Sequence, residues 1–230
     1  MAIICRDIGL LLLQAPHTGS TSLGTLLRTE LGGEMLVEGR VRDRHGRIVL
    51  RQKHQTLAQL LEAGLITPQE RRALLVVAGI RNPFDLVFTE YARNREGGAT
   101  SAPQRFLRRL PGRSRDFSRA DFERFVHRRY EPRLAYRLVG RRPFVPVDWT
   151  AGADLLIRFE HIQEGLDEAL RRVGVSESHR LPHRNPTASR QHHDYRAIYT
   201  PRARAIVARA YAQGIARHGY TFGAEGESPE

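Results

Sequence analysis

Two short stretches of the chain carry the residue types from which an anion site is built. In Pro16-His17-Thr18-Gly19-Ser20-Thr21-Ser22, hydroxyls, small residues and one imidazole follow an apolar run and precede leucines at helical spacing. Such a loop at a helix amino end offers backbone N–H groups and hydroxyls to an anion. In Arg81-Asn82-Pro83-Phe84-Asp85 an arginine ends a second apolar run, and Thr89 follows eight positions on, two helical turns in. A guanidinium fork with a hydroxyl is a sound way to hold a terminal phosphate. Taken singly, the first stretch is equally an ordinary capped turn, and the second a helix start with a surface charge. Lys53 and His54 stand in adjacent positions before a short helix, and Lys53 is the sole lysine in a chain whose other 36 basic residues are arginine.

The elements that must position these residues are legible from periodicity. Ile8–Gln14 is a continuous apolar run of strand length, and Leu23, Leu26, Leu27 and Leu31 recur at helical spacing until Gly32-Gly33. Glu38 to Val49 reads as a polar excursion with a hairpin around His45-Gly46. Leu57, Leu60 and Leu61 mark a short helix stopping near Gly64, and Thr67-Pro68-Gln69-Glu70 has capping-box spacing. Leu74–Ile80 is a second buried strand, after which Asn82 caps and Pro83 opens a helix reaching about Asn94. Phe122, Phe125, Val126, Tyr130, Leu134 and Leu138 indicate helices in the arginine-rich region, Leu155–Phe159 a third strand, and Ile162 to Val173 a helix ended by Gly174. Thr200-Pro201 starts a last helix stopping at Gly219. Alternating strands and helices predict an α/β domain with a mostly parallel central sheet, in which ligands sit beyond the carboxyl ends of the strands.

Composition limits the classes of function. Two hundred and thirty residues, 40% hydrophobic and 27% charged, suffice for one domain with its own core, here placed at residues 1–222 with a disordered tail over 223–230. A single cysteine, Cys5, excludes an internal disulfide and fits a reducing cytoplasm, and no apolar run is long enough to span a bilayer. The formal charge of +12 is concentrated: between Arg105 and Arg142, thirteen arginines face four acids, a net of +9.

The order Pro-x-Thr-Gly-Ser-Thr-Ser-Leu from Pro16 resembles the 5'-phosphosulfate loop of sulfotransferases that use 3'-phosphoadenosine 5'-phosphosulfate (PAPS), and Arg81 with Thr89 is similar to that family's 3'-phosphate signature. Weaker echoes are Lys53-His54-x-Thr56, Ile157-Arg158-Phe159-Glu160, Tyr199-Thr200-Pro201 and His218-Gly219-Tyr220-x-Phe222, so the resemblance spans almost the whole chain. It is nearest to the small sulfotransferases related to the carbohydrate and membrane-associated ones. It implies a three-layer P-loop-type fold and transfer of a sulfuryl group from PAPS to an acceptor hydroxyl on a carbohydrate or anionic glycan, with PAP as product and no metal. It further implies that Pro16 to Ser22 hold the 5'-phosphosulfate and that Arg81 and Thr89 hold the 3'-phosphate. His54 becomes the acceptor's base with Lys53 beside it, while Ser189 and Arg190 lie where related enzymes close over the cofactor phosphates. The chain departs from the pattern at His17, where the family usually carries lysine; an imidazole there hydrogen-bonds the leaving oxygen with a pH-dependent charge.

Two other readings are weighed. A P-loop-type kinase for a small metabolite is weakened because a Walker loop needs Gly-Lys before its Ser/Thr, and no lysine stands in this loop. A basic nucleic-acid-binding protein is the non-enzyme alternative, but the 105–142 segment matches no recognised module and its charges alternate with apolar positions, so it reads as a helical cover and no nucleic-acid partner is expected. His179, His183, His192 and His193 suggest a metal, yet no cysteine is near them and their loop reads as solvated. The acceptor's identity and the oligomeric state are not legible.

Overall fold

The computed structural model describes residues 2–42, 45–46, 48–50, 54–96, 117–131, 144–182 and 194–223. Lys53, Ser189, Arg190, His183, His192, His193, Leu134 and Leu138, most of the arginine-rich segment and the tail beyond residue 223 lie outside the described residues. The chain divides into two compact units: Met1–Arg81 with Val147–Asn185, and Asn82–Pro146 with Pro186–Glu230.

The first unit is α/β. Its strands are β1 (Ala2–Cys5), β2 (Leu10–Leu13), β3 (Glu34–Met35), the hairpin pair β4 (Val41–Arg42) and β5 (Ile48–Leu50), β6 (Leu75–Ile80) and β7 (Leu155–Arg158). Five of them form one sheet in the order β3-β1-β2-β6-β7. β2, β6 and β7 run parallel, with Leu13 opposite Ala78 and Ile80 opposite Arg158, while β1 runs antiparallel to both its neighbours. Two of the four pairings are therefore antiparallel and the sheet is mixed rather than mostly parallel. The difference comes from β1, whose four residues are hidden in an apolar amino end; a turn closed by Gly9 at φ 68°, with its N–H on Arg6 O at 3.2 Å, folds β1 back on β2.

Alternate side chains of the sheet enter different cores. Ile3, Leu10, Leu12, Val77 and Ile157 meet the apolar faces of α1 (Ser20–Glu30) and the helix Ile162–Arg172. Ala2, Ile4, Leu11, Leu13, Val76 and Ala78 meet Leu57 and Leu60 of α2 (Leu57–Glu62), together with Ile66 and Leu74. Coverage on both faces explains why β2 reads as an unbroken apolar run instead of an alternating one. Thr67 with Glu70 closes the expected reciprocal capping box on α3 (Pro68–Ala73) and Gly32, at φ 63°, ends α1 as expected, while Thr56 with Gln59 closes a second box on α2 that the sequence reading did not name.

The second unit is helical among its described residues: α4 (Pro83–Glu96), α5 (Arg119–Tyr130), α6 (Tyr195–Ile198), α7 (Pro201–Ala210) and α8 (Ala212–His218). Its core is aromatic and edge-on, with Phe122 and Tyr199 4.6 Å apart between ring centres and the Tyr199 hydroxyl donating to Phe84 O at 2.9 Å. The last helix is two, because Tyr211 leaves helical geometry at φ −109°, ψ 17° and its hydroxyl pairs with that of Tyr130 at 3.3 Å. The acids on and beside α5 are matched by arginines: Asp121 with Arg95 and Arg124, Glu123 with Arg202, Glu131 with Arg209. Among the described residues no helix is long and apolar enough to cross a membrane.

The start of β7 is pinned by one carboxylate. Asp154 accepts from Arg71 at 2.7 Å and from the Val76 N–H at 2.8 Å, and its own N–H donates to Val76 O at 2.7 Å. Burial raises its pKa, but the hydrogen bonds from Arg71 and Val76 and the Arg71 charge outweigh that and hold it below the ordinary 3.8. A lowered folded pKa stabilises the native state above the unfolded value, and that contribution disappears as pH falls through the folded value. Asp154→Asn is expected to lose about 1 kcal/mol at neutral pH, because the pair is partly solvated. In urea denaturation its gap from wild type shrinks as the buffer is taken well below the carboxylate range.

Candidate functional site

The loop between β2 and α1 is held by its carbonyl oxygens. Ala15 O accepts the Thr18 hydroxyl at 3.0 Å and the Ser20 hydroxyl at 2.9 Å. Gln14, buried at the strand end, donates its Nε2 to Ser20 O at 2.7 Å, and Arg81 at the end of β6 donates to His17 O at 2.7 Å. His54 Nδ1 lies 2.9 Å from Gln14 O. In a trans peptide the N–H points opposite to its C=O, so the Arg81 bond to His17 O turns the Thr18 N–H away from Arg81. The N–H groups of Thr18, Gly19, Ser20 and Thr21 make no hydrogen bond among the described residues, and α1 begins at Gly19 with no side-chain cap. Unsatisfied donors at the positive end of an eleven-residue helix are an anion-binding arrangement.

Close approach is secured by two glycines. A Cβ on Gly79 would lie 2.5 Å from Thr18 Oγ1 and 2.8 Å from Thr18 Cβ, so only glycine in β6 lets the loop settle over the neighbouring strand. A Cβ on Gly24 would lie 2.3 Å from Gln14 Nε2, which ties the first turns of α1 to the bond that Gln14 makes.

The backbone is strained at two residues. Among the described residues the non-glycine positions at positive φ are His17 at 61° and His54 at 63°. Each costs on the order of 1–2 kcal/mol relative to ordinary backbone. The Gln14 carbonyl can only accept, so His54 Nδ1 carries the hydrogen, and of the two neutral tautomers this selects the one with its lone pair on Nε2. The His54 ring is 5.9 Å from that of Trp149. The Arg81 guanidinium lies 3.9 Å over the Phe159 ring and the side chain is 5% exposed, so its charge is fixed in place by stacking as well as by the loop carbonyl.

The structure thus brings Arg81 and His54 to the loop that carries His17, Thr18, Gly19 and Ser20 and to the strand end before it. Pro16 lies within the same turn, and Thr21 and Ser22 lie in the first turn of α1. Thr89 belongs to the second unit, on α4, where Asn82 caps the helix by accepting the Phe84 N–H at 3.1 Å. Thr89 is 1% exposed, and its buried hydroxyl has no hydrogen-bond partner among the described residues. A helical threonine ordinarily bonds back to a carbonyl one turn earlier, so an orphan hydroxyl is a departure to be accounted for. The histidine loop is corrected at its described end: His179 is buried, and its Nδ1 lies 2.6 Å from Glu30 Oε2. No group of three or more metal-ligating side chains occurs among the described residues.

Sequence reasoning missed Gln14 and Trp149. Gln14 was signalled by its type, a polar residue closing an apolar strand one turn before the loop; Trp149 had no pattern to announce it.

Comparison with protein-family models, with curated proteins and with solved structures returns no match.

Gly79→Ala is expected to cost roughly 1–3 kcal/mol in chemical denaturation, through overpacking against Thr18. In a Thr18→Gly background, which removes the nearest atoms, the same substitution costs less. Equal costs in the two backgrounds would separate Gly79 from the loop.

Proposed function

We propose that the chain is a PAPS-dependent sulfotransferase of the P-loop-type α/β fold, acting on an acceptor hydroxyl. The observation that carries the reading is the coincidence of strain and donors: among the described residues the two non-glycine residues in left-handed backbone are the histidines at the loop and beside its strand end, and four N–H groups of the loop find no partner there. The 5'-phosphosulfate fits those amides and the helix dipole. Arg81, a fixed guanidinium at the end of β6, is assigned to the 3'-phosphate. Thr89, assigned with it by the spacing, offers a buried hydroxyl that lacks a partner among the described residues.

PAPS supplies a sulfuryl group on a phosphate leaving group. His54 Nε2 takes the acceptor's hydroxyl proton as the new oxygen–sulfur bond forms and the sulfur–phosphate oxygen bond breaks, and the amides of Thr18 to Thr21 neutralise the phosphate charge that develops. His17, in place of lysine, donates to the leaving oxygen. Lys53, Ser189 and Arg190 keep the roles that the resemblance gives them, next to the base and over the phosphates. No metal is needed, and the site is assigned to the cytoplasm.

Thermal unfolding with added nucleotide tests the reading. PAP raises Tm more than ADP, because only PAP carries the 3'-phosphate. Equal shifts favour the kinase, and a salt-sensitive shift with DNA or RNA alone favours a nucleic-acid surface. Thr89→Val leaves the free protein as stable as wild type or more so, since a buried hydroxyl without a partner is removed, yet weakens PAP by about 0.5–1.5 kcal/mol and leaves ADP unchanged. Arg81→Ala weakens PAP by about 1.5–3 kcal/mol. His54→Ala lowers turnover with PAP affinity nearly intact; loss of both together assigns His54 to the scaffold.

A further inference from the structure

The chain's single tryptophan stands apart from its cores. Trp149 is half-buried and belongs to none of the three apolar clusters formed by the described residues. A large aromatic ordinarily contributes most by burial, so an indole left at the edge of the cores has given up stabilisation that a core site would have provided.

Its turn is nevertheless rigid. Asp148 accepts the Thr150 N–H at 3.0 Å and its hydroxyl at 2.6 Å, and Ala153 N–H closes the turn on Thr150 O at 2.9 Å. Gly152, at φ 79°, gives its carbonyl to Arg71 at 2.9 Å, and a Cβ there would meet Leu57 at 2.7 Å. Leu57 opens α2 directly after its cap Thr56, so the turn is anchored to the helix that His54 precedes. The two rings meet at 5.9 Å with a 59° tilt. The large hydrophobics exposed among the described residues are Val145 and Val147, at 76% and 48%, and both lie within four residues of Trp149.

We infer that Trp149 is the stacking platform for the acceptor, and that the acceptor is a ring bearing a hydroxyl beside a flat apolar face. An indole face held at a fixed tilt to the base binds such a ring through C–H or π contacts and brings its hydroxyl to His54 Nε2. An extended peptide serine or an acyclic polyol has no face to offer. A pyranose and a phenol share this chemistry, and the measurement tells them apart. The inference takes the proposed transfer reaction as the reason for a hydroxyl, but its binding test does not depend on PAPS.

Trp149 is its own probe when excited at wavelengths where tyrosine does not absorb. Titration of the full chain with a methyl pyranoside, with 4-methylphenol and with sorbitol is expected to give a saturable change in emission for at least one of the two rings and none for sorbitol. The ring that responds names the source. Calorimetry of Trp149→Leu is expected to show that ring's affinity reduced about tenfold, with Trp149→Phe recovering most of it, while PAP still raises Tm in both variants and so reports an intact fold. No saturable change with either ring, an equal change with sorbitol, or full ring affinity in Trp149→Leu overturns the inference. If PAP gives no shift in wild type while the rings still bind, the platform stands and the sulfuryl-transfer reading falls.

Discussion

The loop after β2 keeps its shape because its carbonyl oxygens are occupied from the protein side. Gln14 O, Ala15 O, His17 O and Ser20 O are met by His54, by two hydroxyls of the loop itself, by Arg81 and by Gln14. Each bond is worth on the order of 1 kcal/mol net, no more than the strain of one left-handed residue. Their joint effect is directional. With His17 O and Ser20 O turned inward, the planar peptides turn the Thr18 and Thr21 amides outward, and the strand-to-helix turn presents donors at the positive end of a helix that find no partner among the described residues. The partners that do this are dispersed in sequence, at positions 14, 54 and 81, so the loop's conformation is a property of the whole first unit.

That dispersion is resolved by sheet order. β2 and β6 are adjacent and parallel, in register from Leu10 opposite Leu75 to Leu13 opposite Ala78. Their carboxyl ends therefore emerge together, and the loop from one meets the arginine that follows the other. Gly79 leaves out a side chain that would collide with Thr18 and hold them apart. The antiparallel β1 lies on the other side of β2 and extends the sheet without changing this edge.

What could be read from the chain follows from how local the cause is. The capping box at Thr67, the glycine stop at Gly32 and the proline start at Pro83 act within one helical turn, and they stand where the spacing places them. β1 escaped because an apolar run at an amino end has no period to show and its hairpin turn rests on one glycine. The break at Tyr211 escaped because it is set by a partner, Tyr130, eighty-one residues away. At the site the types of Thr18, Gly19, Ser20 and Arg81 were informative, but that Arg81 grips a carbonyl and stacks on Phe159 is a tertiary fact. His179 was read as solvated because a loop rich in proline and histidine looks polar; its burial depends on Glu30 and on Gln163, which accepts the Leu181 N–H at 3.0 Å.

The two strained histidines argue for use rather than for architecture. At φ near 60° glycine adopts the conformation at almost no cost, and asparagine at less cost than a bulky side chain. A turn that needed only to change direction at residues 17 and 54 would be more stable with glycine, and the chain does place glycine at eight other positive-φ positions among the described residues. An imidazole in that backbone region therefore has to return something the backbone does not need. For His54 the return is a ring whose Nδ1 is held by Gln14 O, which puts the lone pair of the neutral form on Nε2, as the proposed role of base needs. For His17 the carbonyl serves Arg81, and it is the proposed transfer that gives the imidazole a use, at the leaving oxygen.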